Sequence, residues 1–94
     1  MPMLPSANPA VLFQRLDDGA VLFSPTSEQY FGLNEVGARI WTLLPPVTTS
    51  LDQLVQRLAD TYPEAPVATM RADAEQLLGS LLEADLVLPV SRTP

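Results

Sequence analysis

The sequence of 94 residues contains no cysteine, no histidine and no lysine. Without cysteine, the chain can form neither disulfide bonds nor thiolate metal sites. Without histidine, it lacks the commonest general base, the commonest metal ligand and every catalytic pairing of histidine with serine or cysteine. These absences remove the usual starting points for metal binding and nucleophilic catalysis, and they weigh against an enzyme.

Positive charge is also scarce, since five arginines face eleven acidic residues and give a net charge of −6. A nucleic-acid-binding protein normally carries a basic stripe, so this balance weighs against nucleic acid as a partner. No apolar run approaches the roughly 18 residues of a membrane-spanning helix, so no membrane association is expected. The first ten residues have three prolines and no basic region, unlike a signal peptide, and a cytoplasmic location is expected.

The length is typical of one domain. Pro2, Pro5 and Pro9 disfavour a helix, so residues 1–9 are expected to form a flexible or extended N-terminal arm. The folded domain is expected to cover residues 10–90, and residues 91–94 are expected to be a frayed tail.

Three short strands are predicted in the first half of the chain. Two apolar segments, residues 10–16 and 20–24, flank Asp17-Asp18-Gly19 and therefore predict a hairpin. Residues 29–33 are short, aromatic and bounded by turn formers, which predicts a third strand. Together the three strands form an antiparallel meander.

Helix signals follow the strands. Asn34 is a suitable N-cap for a first helix that ends at Pro45. Ser50 and Gln53 form the capping-box pattern of a second helix that stops before Pro63. Strands followed by helices predict an α+β domain, with a three-stranded antiparallel sheet covered on one face by three helices.

The third helix is predicted from Val67 to about Ala84, with a short strand or apolar tail at residues 86–88. Its apolar stripe is wider than packing on one neighbour requires. Either part of this helix borders a groove, or it is simply the central core helix. The stripe consists of Val67, Met70, Ala74, Leu77, Leu78, Leu81 and Leu82.

The acidic residues form no cluster with metal-ligand spacing, and four glycines make no phosphate-binding loop. We therefore expect no catalytic residues, no metal and no cofactor. Three features suit binding instead. Residues 29–33 could be an open sheet edge, or a partner strand could cover them. Trp41 could belong to the core, to a groove wall or to a binding hot spot. Arg71 could reach an acidic group of a peptide, or pair with Glu75 one turn later.

The sequence resembles the PqqD-like family at YFGLNEVG (residues 30–37), RIW (39–41) and LL (43–44). This family comprises the precursor-peptide recognition elements of pathways that modify ribosomally made peptides. The resemblance covers roughly residues 10–90. It implies a winged helix-turn-helix-like domain that binds the leader of a precursor peptide. The leader adds as a strand to the third strand and is clamped against the third helix.

The resemblance also implies the peptide-binding residues. They are Glu28, Gln29, Tyr30, Phe31, Gly32, Leu33, Val67, Met70, Arg71, Ala74, Leu77 and Leu78.

Within the family, the sequence looks most like a stand-alone B1 protein of lasso-peptide pathways, which presents the leader to a peptidase and a cyclase. One alternative is the peptide chaperone of pyrroloquinoline quinone synthesis, which serves a radical enzyme. A second alternative is a winged-helix DNA-binding domain. An uncovered third strand could also pair with a copy of itself, so a homodimer is a further expectation.

Overall fold

The computed structural model describes residues 3–89, in which five strands and three helices occur. The predicted tail and the first two residues lie outside this range. The elements in chain order are β1 (Ser6–Ala7), β2 (Leu12–Leu16), β3 (Gly19–Ser24), β4 (Gln29–Asn34), α1 (Glu35–Thr42), α2 (Leu51–Thr61), α3 (Val67–Glu83) and β5 (Val87–Leu88).

The main sheet is antiparallel with strand order β2-β3-β4, which leaves β4 at an edge. One cross-strand row, Phe13–Leu22–Phe31, faces the helices. The predicted hairpin, the third strand and the α+β class with a winged helix-turn-helix-like order are therefore confirmed. Side chains of β4 alternate between the two faces of the sheet, because Leu33 is buried while Tyr30 is 71% exposed on the opposite face.

Side-chain caps start the first two helices. The Gly37 N–H donates to Asn34 Oδ1 at 2.7 Å, so Asn34 caps α1 as predicted. The Gln53 N–H donates to Ser50 Oγ at 3.2 Å at the start of α2. The Gln53 side chain of the predicted capping box also bonds back to the backbone, since the Thr49 N–H donates to Gln53 Oε1 at 2.8 Å.

A Schellman turn ends α3. The Leu86 N–H donates to the Leu81 carbonyl at 2.9 Å, and the Asp85 N–H donates to the Leu82 carbonyl at 3.1 Å. Asp85 has φ of 59°, the left-handed conformation that this turn requires. The turn directs the chain back along the domain into β5.

Residues 3–9, expected to be a flexible or extended arm, are extended and packed on the domain. Leu4 is 3% exposed within the core, and its N–H donates to the Thr49 carbonyl at 3.0 Å. β1 pairs with β5 as a separate two-stranded sheet. Asn8 Nδ2 donates to the Asp85 carbonyl at 2.9 Å. This segment therefore links the start of α2 to the end of α3.

The core lies between the main sheet and the helices. α1 packs on β3 and β4, and α2 packs on α3. Trp41 is half-buried against this core and stacks on Phe13, with ring centroids 6.4 Å apart and an interplanar angle of 7°. Trp41 thus belongs to the packing of α1 on the sheet. Within residues 3–89, no helix combines the length and apolarity needed to cross a membrane.

Candidate functional site

A groove of about 410 Å³ lies between the edge strand β4 and helix α3, with the first half of α1 between them. Its volume is within the usual range of ligand clefts. Its lining residues are Gly32, Leu33, Asn34, Val36, Gly37, Ile40, Asp73, Gln76, Leu77 and Ser80.

One side of this groove is a strand with a free edge. Among residues 3–89, β4 pairs with β3 and with no second strand, so alternate residues direct their N–H and C=O groups away from the sheet. Gly32 lies in the middle of this edge, and a Cβ added there would meet no heavy atom within 4 Å. The outer face of β4 at Gly32 therefore has room for a side chain, while the free edge itself follows from the strand order.

A second, smaller cavity of about 30 Å³ lies along the same boundary. Its lining includes residues from the first half of β4 and, opposite them, Ala84 and Leu86 just after α3. The lining of the larger groove includes residues from the second half of β4 and, opposite them, α3 residues between 73 and 80. β4 and α3 therefore run side by side in opposite directions, and the two cavities follow the length of the strand.

The predicted β4 residues are divided between these cavities. Gly32 and Leu33 line the larger groove, and Gln29, Tyr30 and Phe31 line the smaller cavity. Glu28 lies outside β4, in the preceding turn with φ of 58°.

The predicted α3 residues are mostly not at the groove. Met70, Ala74 and Leu78 are at most 5% exposed and contribute to the core. Val67 is 53% exposed at the start of the helix and lies outside the groove lining. Leu77 is the predicted α3 residue that lines it. The wide apolar stripe is thus used mainly for core packing, and part of the helix also borders the groove through Leu77, so each interpretation applies to part of α3.

Arg71 forms an ion pair with Asp52 of α2, at 2.6 Å between Nη2 and Oδ1. The expected alternative pairing with Glu75 is wrong, because the guanidinium extends across to the neighbouring helix. Arg71 is also not among the groove-lining residues. The ion pair is exposed on both sides, so its contribution is roughly 0.2–1 kcal/mol.

The groove-facing wall of α3 is polar and was missed by reasoning from apolar spacing. Asp73, Gln76 and Ser80 lie one and two turns apart and share this wall with Leu77. Their i, i+3, i+7 spacing, next to an apolar stripe, was the available signal. The contribution of α1 was also missed, because Val36, Gly37 and Ile40 read as ordinary helix packing.

Within residues 3–89, no group of three or more acidic residues is placed to hold a metal ion. The α3 wall of the groove offers one carboxylate, one amide and one hydroxyl, which suit hydrogen bonding to a ligand.

Residues 19–87 match the family model described as Coenzyme PQQ synthesis protein D (PqqD). The chain belongs to the PqqD family. The resemblance indicated by the YFGLNEVG motif is thereby confirmed. The matched range of this PqqD-family protein begins at β3 and ends at β5, so it includes both sides of the groove.

Among solved structures, the PqqD-family chain is similar to "TbiB1 in Complex with the TbiA(beta) Leader Peptide". The two share 28% sequence identity with a TM-score of 0.79, over 93% of this chain and 99% of the other. This similarity agrees with the B1-type resemblance in the sequence. No curated protein matches the chain.

Proposed function

We propose that this PqqD-family protein is a non-catalytic adaptor that binds the leader of a ribosomally made precursor peptide. The leader adds as a strand to the free edge of β4 and is held against α3. The observation that carries this proposal is the juxtaposition of an unpaired edge strand with a helix across an open groove. Strand addition obtains affinity from main-chain hydrogen bonds and specificity from the side-chain contacts of alternate residues.

The comparison with TbiB1 supports a leader as the ligand, because that protein is in complex with a leader peptide and has the same fold along nearly its whole length. The same comparison favours a lasso-peptide pathway, in which the bound leader is presented to a peptidase and a cyclase. The family description favours a second candidate, a peptide chaperone of coenzyme PQQ synthesis with a radical enzyme as partner. A DNA-binding role is not favoured, since the net charge is −6.

The direct test is titration of the labelled protein with a synthetic leader from the precursor gene beside its own gene, followed by backbone amide NMR. We expect large shifts for β4 and for residues 73–80, and small shifts for β2, the other edge of the sheet. Shifts centred on β2, or no shifts at all, would contradict the proposal.

Strand addition has a further signature in the peptide itself. Neighbouring residues of a strand direct their N–H groups to opposite sides, so only alternate leader amides bond to β4. Methylating the leader amides one at a time should therefore weaken binding with a period of two residues. A helical or irregular bound leader would give no such period.

A matched pair of variants locates the edge. Gly32 and Gln14 belong to one cross-strand row on the outer face, Gln14 at the β2 edge and Gly32 at the β4 edge. Gly32→Val adds a branched side chain on the outer face of β4, where it should crowd the neighbouring residue of an added leader and weaken binding, while Gln14→Val should leave binding unchanged. Equal effects of the two variants on binding would show that β4 is not the binding edge.

A further inference from the structure

We infer that the groove selects leaders with a basic residue that contacts Asp73 and, two residues away, an apolar residue that contacts Leu77. This inference rests on the proposed function and assigns the chemistry of the leader that the groove accepts. It comes from the composition of the α3 wall, which places the charged side chain of Asp73 one turn from the apolar side chain of Leu77. An added leader strand would pass both.

Asp73 carries the only charge among the described residues that line the groove. Within residues 3–89, its carboxylate has no ion-pair partner and accepts no side-chain hydrogen bond. Asp52, by contrast, is paired with Arg71 on the side of α3 that faces α2. The groove therefore presents an uncompensated negative charge, whose natural complement is a lysine or arginine of the ligand.

The spacing of the two contacts follows from the geometry of strand and helix. Side chains on one face of an added strand recur about every 6.6–6.8 Å, twice the rise per residue. Asp73 and Leu77 are four residues apart on α3, which corresponds to about 6 Å along the helix axis. Because β4 and α3 run side by side, consecutive inward-facing leader residues meet Asp73 and Leu77 in turn.

Gln76 and Ser80 complete the wall on either side of Leu77. Their amide and hydroxyl groups can hydrogen-bond to the leader at neighbouring positions. The pattern is basic-x-apolar or apolar-x-basic, depending on the direction in which the leader adds. Both directions keep the separation of two residues, so the pattern can be recognised without knowing the orientation.

The test uses a displayed library of random peptides selected on the immobilised full chain, so it needs no knowledge of the leader. Selection on the unaltered protein should enrich lysine or arginine at one position and an apolar residue two positions away. Selection on Asp73→Asn should lose the basic preference, and selection on Asp73→Arg should replace it with aspartate or glutamate.

Glu75→Gln is the matched control, because Glu75 is exposed on the same helix, is absent from the groove lining and has the same charge. If the basic preference survives in Asp73→Asn, or is lost equally in Glu75→Gln, then the net charge of the protein causes it and the inference is wrong. If no peptide is enriched on the unaltered protein, both this inference and the proposed function are wrong. Enriched peptides without the basic pattern would overturn this inference alone.

A charge exchange with one enriched peptide completes the test. Because Asp73 is exposed, its ion pair with a basic leader residue should contribute up to about fivefold in affinity. Replacing the basic residue by glutamate should weaken binding to the unaltered protein, and Asp73→Arg should restore binding of that altered peptide. A loss that Asp73→Arg does not restore would mean that the basic residue contacts another part of the protein.

Discussion

Two glycines of the sheet show how much a single position depends on its surroundings. Gly19 and Gly32 both lie in strands, and neither has a positive φ. A Cβ added at Gly19 would lie 2.1 Å from the Leu33 carbonyl oxygen, whereas one added at Gly32 would meet nothing within 4 Å. Gly19 is therefore required by the close approach of β4, whereas the face of β4 at Gly32 has room for a side chain.

This difference gives a prediction for two alanine variants. Gly19→Ala should destabilise the protein by about 1–3 kcal/mol, because the Leu33 backbone must move to relieve the contact. Gly32→Ala should be neutral or stabilising by up to about 1 kcal/mol, because the unfolded chain loses freedom at no steric cost. Urea denaturation measures both values, and a similar loss for the two variants would contradict the packing described for Gly19.

At the scale of elements, the N-terminal segment and α3 both make contacts that their own sequences do not specify. Residues 3–9 look like a loose arm because of their prolines, yet Leu4 fills a core position and β1 pairs with β5. The wide stripe of α3 left a groove role and a core role open, and most of it packs against the core and α2 while Leu77 lines the groove. In both cases the contact partner is distant in sequence.

The N-terminal segment is expected to contribute to stability. Leu4→Ala should lower the free energy of unfolding by about 2–5 kcal/mol, because it removes a buried side chain and leaves a cavity. Met3→Ala is the control, since Met3 is 51% exposed and its loss should change stability by less than about 0.5 kcal/mol. Thermal or chemical denaturation distinguishes the two, and equal stability of both variants would show that the segment is not anchored.

At the scale of the whole molecule, the same free edge that suits a leader also suits a second copy of the chain. Unpaired strand edges associate with one another unless they are covered. We therefore expect the protein without leader to form weak dimers through β4 as its concentration rises, and a leader to dissociate them. Light scattering with and without peptide measures this, and a monomer at every concentration would contradict it.

A pair of lysine variants identifies the edge that pairs in such a dimer. Tyr30 at the β4 edge and Leu12 at the β2 edge lie in one cross-strand row and are 71% and 60% exposed. Tyr30→Lys should prevent association, since lysine on an edge strand opposes pairing. Leu12→Lys should leave it unchanged, and the reverse result would place the dimer contact at β2.

The sequence by itself determined the order of elements in the main domain. Its signals are local: the turn at residues 17–19, the cap at Asn34, the capping box at Ser50 and the apolar spacing of the helices. Such signals act within a few residues, so they can be recognised without knowing which elements pack against each other. The strand β4 was predicted for the same reason, whereas the binding role of Gly32 and Leu33 was implied by the family resemblance.

Only the tertiary structure decided which face of α3 meets the groove. An apolar stripe predicts which side chains of a helix are buried, but it does not predict which neighbouring element buries them. Met70, Ala74 and Leu78 are consequently in the core, and the polar residues Asp73, Gln76 and Ser80 form the wall. The pairings of Arg71 with Asp52 and of β1 with β5 likewise join residues distant in the chain, which no local pattern specifies.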